Sequence, residues 1–169
     1  MIAPVAAAVF LPFVMAVGLW VSWSDLKFMK IPNQASIAML AIWVFPGILI
    51  VPLQAWAWGW ALAFAVLVVT FLLNAIGAIG AGDAKFAAAM APMFLGADLR
   101  LLAGIYAATA LAALATHRIL KHIPAFRAAT PDWKSWSHKG FPFGTALSGT
   151  LIFTLLAALL PLFPGSLGP

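Results

Sequence analysis

Apolar residues run almost unbroken along the chain, and the polar positions that interrupt them gather in a few short clusters. Ile2 to Trp23 is a continuous apolar stretch with Pro4 and Pro12 near its start, and no basic region precedes it as in a cleaved signal peptide, so it predicts a retained first membrane span over 2–23. The polar residues Ser24, Asp25, Lys27 and Lys30 follow, and Pro32 forces Ile31 out of helical geometry, which predicts a loop over 24–34. Ala35 to Val51 reads as a second span, and the uncharged connection Pro52-Leu53-Gln54 leads to a third over 55–79. That third span opens with Trp56, Trp58 and Trp60, residues suited to the membrane interface. Further spans are expected over 82–97, 99–116 and 142–160. The fourth is short of apolar residues for a full crossing and is open to a re-entrant reading. The long polar segment 117–141 lies between the last two spans. A tail over 161–169 carries no charge and is expected to have no structure of its own.

Composition agrees with the pattern. Of 169 residues, 65% are hydrophobic and 8% charged, and the mean hydropathy is +1.09, which excludes an ordinary soluble domain. The predicted fold is all-α, a single polytopic membrane domain over 1–169 with about six transmembrane helices. The absence of cysteine removes disulfides, thiolate metal sites and cysteine nucleophiles together. No basic block with interleaved aromatics suggests nucleic acid, so the net charge of +5 is read as topology. With six spans, Lys27, Lys30, Lys85, Arg118, Lys121, Arg127, Lys134 and Lys139 fall on one side of the membrane and Arg100 on the other. The positive-inside rule makes the rich side cytoplasmic and puts both termini outside.

Candidate chemistry centres on Asn74 to Phe86, NAIGAIGAGDAKF, where the apolar run breaks at glycines and presents Asp83, one of four acidic residues. A carboxylate at the edge of a hydrocarbon layer costs several kcal/mol unless it is paired, neutralised or wet, so such residues are functional candidates by default. The small residues Gly80 and Gly82 would let another backbone approach it. The predicted topology puts Asp25, at the end of the first span, on the same membrane face and at a similar depth. Two carboxylates at close range in a poorly solvated site cannot both ionise easily, so the pair shares a proton near neutral pH. The ionised partner then takes a proton from water as it attacks a carbonyl, and the protonated partner donates to the carbonyl oxygen. No metal or other cofactor is required by that chemistry.

Asp25 ahead of Ile31-Pro32-Asn33, then Gly80-Ala81-Gly82-Asp83 with Lys85, then Pro142-Phe143-Gly144 opening the last span, resembles the type IV prepilin peptidases over nearly the whole chain. The resemblance implies an intramembrane aspartic peptidase of the GxGD type, with Asp25 and Asp83 catalytic. It implies prepilins or pseudopilins as substrates, trimmed of a short basic leader at the cytoplasmic face of a bacterial inner membrane. Gly80, Gly82 and Lys85 are candidates for positioning the substrate. Longer family members carry a cysteine-bearing cytoplasmic insertion and also N-methylate the trimmed pilin. This chain resembles the short form associated with tight-adherence (Flp-type) pili, so the resemblance carries over cleavage and not methylation. Presenilin-type proteases share the Gly-x-Gly-Asp box, but Asp25 follows Ser24 and not a tyrosine.

Blander readings stand beside these. Asp25 alone would be a loop residue paired with Lys27 or Lys30, Lys85 a snorkelling cation, and Asn33 a cap of the second span. Asn74 suggests an interhelical hydrogen bond, and Asp98 and Asp132 solvated connections. His117, His122 and His138 read as loop residues because 117 and 122 lack metal-ligand spacing on a helix. A small ion-coupled carrier would need an internal repeat with paired broken helices, which is not seen. A non-catalytic assembly subunit would leave the two aspartate motifs unexplained.

Overall fold

A computed structural model of the chain describes residues 2–160, and all regular structure among them is helical. The uncharged tail 161–169 lies outside the described residues. The long helices are α1 (Pro4–Phe28), α2 (Asn33–Ile50), α3 (Leu53–Ala75) and α5 (Leu99–Lys121), and each is long and apolar enough to cross a membrane. The short helix α4 (Ala81–Met90) runs into a 3-10 turn, Ala91–Phe94. Helix α6 (Pro124–Ala129) and a 3-10 turn, Lys134–Trp136, follow α5, and α7 (Phe143–Leu159) is apolar and 17 residues long.

The centre of the bundle is the antiparallel pair α1 and α7. Ala7, Phe10, Val14, Gly18, Val21 and Asp25 are buried on α1, and Gly144, Ser148, Leu151, Leu155 and Ala158 on α7. Steps of three and four keep each set on one stripe, the spacing that lets two helices interlock along their length. Small residues bring the pair close, for Gly18 faces Ser148 and Ile152. Helix α2 packs on α1, and α4 lies against α2, α3 and α7. Trp43 of α2 is fully buried and lies over Gly59 of α3, while the Phe10 and Trp43 rings meet at a tilt, 5.9 Å apart. Helices α3 and α5 flank this core and turn Phe64, Phe71, Leu72 and Leu111 outward, as lipid-facing helices do.

Several elements differ from the sequence reading. Helix α1 does not stop at 23 but continues to Phe28, because Ser24 and Asp25 find partners inside the protein and need no water. It ends where Met29 takes a left-handed conformation, φ 53°, with its N–H on the Asp25 carbonyl, so the loop shrinks to four residues. Helix α3 ends at Ala75 instead of reaching 79, since Asn74 donates to the Ile79 carbonyl at 2.8 Å and Gly77 turns the chain at φ 76°. Asn74 is thus a local turn contact and not an interhelical one. The stretch read as the fourth span is regular only over α4 and its 3-10 turn, about 23 Å at ~1.5 and ~2.0 Å per residue, against about 30 Å of hydrocarbon.

The segment 117–141 is not an open loop. Helix α5 carries on through His117 to Lys121, and Trp136 stacks on His117 at 5.1 Å and donates to the Thr130 carbonyl at 2.9 Å. Asp132 pairs with Lys27 of α1 at 2.8 Å, and the lysine holds its exposed carboxyl below the usual range. Asp98 caps α5 by accepting from Arg100 and Leu101 N–H. Of the three tryptophans read as interfacial, only Trp58 is largely exposed. Trp56 donates to the Trp43 carbonyl at 2.9 Å and Trp43 returns a bond to Trp56.

Candidate active site

The end of α1, the start of α2, the start of α4 and the start of α7 meet at one end of the bundle. Asp25 occupies the last place on the buried stripe of α1, one α-helical step of four beyond Val21, and is 5% exposed. Its counterpart on α7 is Gly144, the first buried residue of that helix. The Gly144 N–H belongs to the first turn of α7, where backbone donors lack helical partners, and it donates to Asp25 Oδ2 at 2.7 Å. Only glycine fits there. A Cβ at 144 would lie 2.9 Å from Asp25 Oδ2 and 3.0 Å from Val21 Cγ1. A short, charge-assisted bond of this kind fixes the carboxylate in one orientation.

Asp83 lies in the first turn of α4, two residues into the helix after Ala81, and is half-buried. Its carboxylate folds back over Gly80, so close that a Cβ at 80 would meet Oδ2 at 2.6 Å. Glycine at 80 therefore permits the rotamer that returns Asp83 toward the helix start, as the acidic residue of a capping box does. The positive end of α4 favours negative charge at this position. Asp83 and Phe143, the neighbour of Gly144, line one groove, so the two aspartates lie at the same end of the bundle.

Gly82 has a different neighbour. A Cβ there would come within 3.3 Å of Ile31 Cβ and 3.5 Å of the Ile31 N. Ile31 is buried, and its loop is fastened by Ser24 Oγ donating to the Lys30 carbonyl at 2.8 Å. Lys85 reaches Asn33 Oδ1 at 3.2 Å, on the far side of the same loop. Gly82 and Lys85 thus clamp the Ile31-Pro32-Asn33 turn onto α4, and the space beside Gly82 is taken by this chain and not left open for another. Asn33 does not cap α2, whose first turn has no side-chain cap. Asp25 pairs with neither Lys27 nor Lys30, since Lys27 is held by Asp132.

A groove of about 440 Å³ opens beside Asp83, between α3 and α5 and floored by α4 and α7. Val66, Ala87, Met90, Leu102, Phe143 and Leu147 make it strongly apolar, and Asp83 is its only charged residue. Among the described residues no three His, Asp or Glu side chains converge as a metal centre would need. The sequence reading missed the Gly144 N–H as the partner of Asp25, although the glycine that opens α7 was a signal for it.

A model of the type IV leader peptidase family matches residues 12–117, well over half of the chain, and the match takes in Asp25, the Ile31-Pro32-Asn33 turn and the Gly80 to Lys85 stretch. No curated protein and no solved structure matches the chain significantly.

Proposed function

The chain belongs to the type IV leader peptidase family, and on that premise we propose that it is an intramembrane aspartic endopeptidase acting through Asp25 and Asp83. The observation that carries this reading is a buried carboxylate, oriented by one backbone N–H and in no ion pair among the described residues, at the end of the bundle where a second carboxylate begins α4. A purely structural aspartate would be matched with a cation. In the proposed reaction one carboxylate is ionised and draws a proton from the attacking water. The other is protonated and donates to the oxygen of the scissile carbonyl; the first then passes the proton it took from water to the leaving amine as the C–N bond breaks, while the second recovers a proton from the diol. Substrate binding rests on the apolar groove beside Asp83, which suits the hydrophobic segment of a prepilin lying in the bilayer. The bond to be cut then lies at the end of the groove, where a locally extended peptide exposes the carbonyl that a helix would hide. Glycine just before the cut favours that extension.

The proposed orientation keeps six crossings, with the basic end of the bundle cytoplasmic and both termini outside, in a bacterial inner membrane. Its support is that α5 returns to set His117 beside Phe141 and Trp136, near the start of α7, so α4 and its turn must cover the distance from the site to the far end. The short fourth crossing is shielded by α2, α3 and α7. Prepilins of the Flp type are the proposed substrates, and N-methylation is not part of the proposal. The test is the gel mobility of a co-expressed prepilin in the presence of Leu102→Trp, which fills the groove from its α5 wall, on a different helix from either aspartate. Loss of the shift with normal membrane insertion is expected, and normal processing would overturn the groove as the substrate path.

A further inference from the structure

The basic end of the bundle holds a second recess, which no aspartate lines. The last turns of α5 bring His117, Arg118 and Lys121 together, and the segment after α6 folds back to add Ser135, His138 and Lys139. The recess is polar and about 70 Å³, several times the roughly 15 Å³ that admits one water. No acid lines it. Asp25 is held by Gly144, Asp98 caps α5, Asp132 pairs with Lys27, and Asp83 lies at the start of α4.

Two buried polar atoms in its wall are also unmet. Ser135 is 1% exposed and its Oγ has no partner, and His117 is 8% exposed with Nε2 unpartnered. Leaving a buried hydroxyl unpartnered is costly, so such atoms call for a ligand. Cations at the end of α5 would by themselves be explained by the helix dipole and by membrane orientation. Neither explains Lys139, which arrives from another segment, or the two unmet donors.

An apolar cavity of about 220 Å³ adjoins the recess, sharing His117 and Phe141 with it, and runs between α5 and α7 to Phe153. A polar, cationic end joined to an apolar slot has the chemistry of a phospholipid. We propose that this recess binds the phosphate of an anionic phospholipid, with an acyl chain along the adjoining cavity. Arg118, Lys121 and Lys139 supply the charge, and Ser135 Oγ and His117 Nε2 donate to phosphate oxygens. This inference does not depend on the peptidase reading. Its local consequence is that a bound phosphate ties Lys139 to α5 and braces the chain leading into Gly144.

The experiment is electron spin resonance of the purified protein in phosphatidylcholine bilayers, doped with spin-labelled phosphatidylglycerol or spin-labelled phosphatidylcholine, comparing the motionally restricted fractions. A preference for phosphatidylglycerol is expected, falling about fivefold for each of Arg118→Gln and Lys139→Gln. Ser135→Ala, which removes one hydroxyl and threatens the fold least, should lower it about fivefold as well. Lys30→Gln, a cation outside the recess, should leave it unchanged. Equal loss with Lys30→Gln would mean diffuse surface attraction and would overturn the site, as would no preference at all. Calorimetric binding of inorganic phosphate in detergent, sensitive to Ser135→Ala but without a lipid preference, would overturn the lipid and give the recess to free phosphate.

Discussion

Gly144→Ala offers the sharpest perturbation of the Asp25 geometry, because it adds one methyl group and leaves both aspartates in place. The new Cβ would lie 2.9 Å from Asp25 Oδ2, 3.0 Å from Val21 Cγ1 and 3.1 Å from Asp25 Cβ. Carbon contacts are comfortable at about 3.5–4.0 Å, so α1 and α7 must part by roughly 0.5–1 Å. Overpacking of that size costs about 1–3 kcal/mol. It also stretches the 2.7 Å bond from Gly144 N–H to Asp25 to about 3.2–3.7 Å, from the edge of hydrogen-bond range to beyond it. A misplacement near 1 Å costs about 10²-fold in rate, so prepilin cleavage should fall by about that factor in reconstituted membranes while the protein still inserts. Gly18→Ala is the matched control at the same helix pair. Its Cβ would meet the flexible tip of Ile152 at 3.2 Å and Ser148 Cβ at 3.3 Å, well away from Asp25. It should lower the melting temperature but change cleavage by less than about tenfold. Gly144→Ala cleaving within two- or threefold of the parent would refute the claim that this N–H orients a working carboxylate.

Other expectations follow from contacts around the site. Lys85→Ala and Asn33→Ala should each weaken cleavage less than about tenfold, through loss of one exposed hydrogen bond of about 0.5–1.5 kcal/mol. The double variant should be no worse than either alone, which a thermodynamic cycle on cleavage rates would measure. Gly59→Ala drives a Cβ into the Trp43 ring and should lower stability by about 1–3 kcal/mol, read by thermal unfolding, without changing the rate per folded molecule. Because the chain has no cysteine, introduced thiols label without background. Gln54→Cys should react with an impermeant reagent from outside the cell and Ala128→Cys only after permeabilisation, and the reverse pattern would overturn the proposed orientation. Chelators should leave cleavage unchanged, and a clear loss would call for a metal.

The helical membrane fold was legible because bilayer spans are set by length and hydropathy, which the chain displays directly. The ends of the helices were not. Polar residues at Ser24 and Asp25 read as a loop, yet the step of four from Val21 to Asp25 continues a buried stripe that could have been followed across the polarity change. Asp83 falls in the first turn of α4, and the break at Gly80 and Gly82 before an acid marks that position in the sequence. The neighbours of Gly82 and Lys85 were out of reach, because Ile31 and Asn33 meet them only through tertiary packing. The order within 117–141 was hidden for the same reason. Its charges suggest solvent, and its stability comes from Trp136 stacking on His117 and from the Lys27 to Asp132 pair, contacts between segments that no local pattern announces.

The most direct test of the proposed chemistry is the electrophoretic mobility of a co-expressed prepilin with the parent protein, Asp25→Asn and Asp83→Asn, each shown to be inserted in the membrane at equal level. Asparagine keeps the size of each side chain and an oxygen to accept from Gly144 N–H, while removing the proton that the pair must share. The parent should convert the prepilin to the faster form, and each single variant should leave it wholly unprocessed because the two carboxylates act as a unit. Processing at an appreciable rate by either variant would contradict the account.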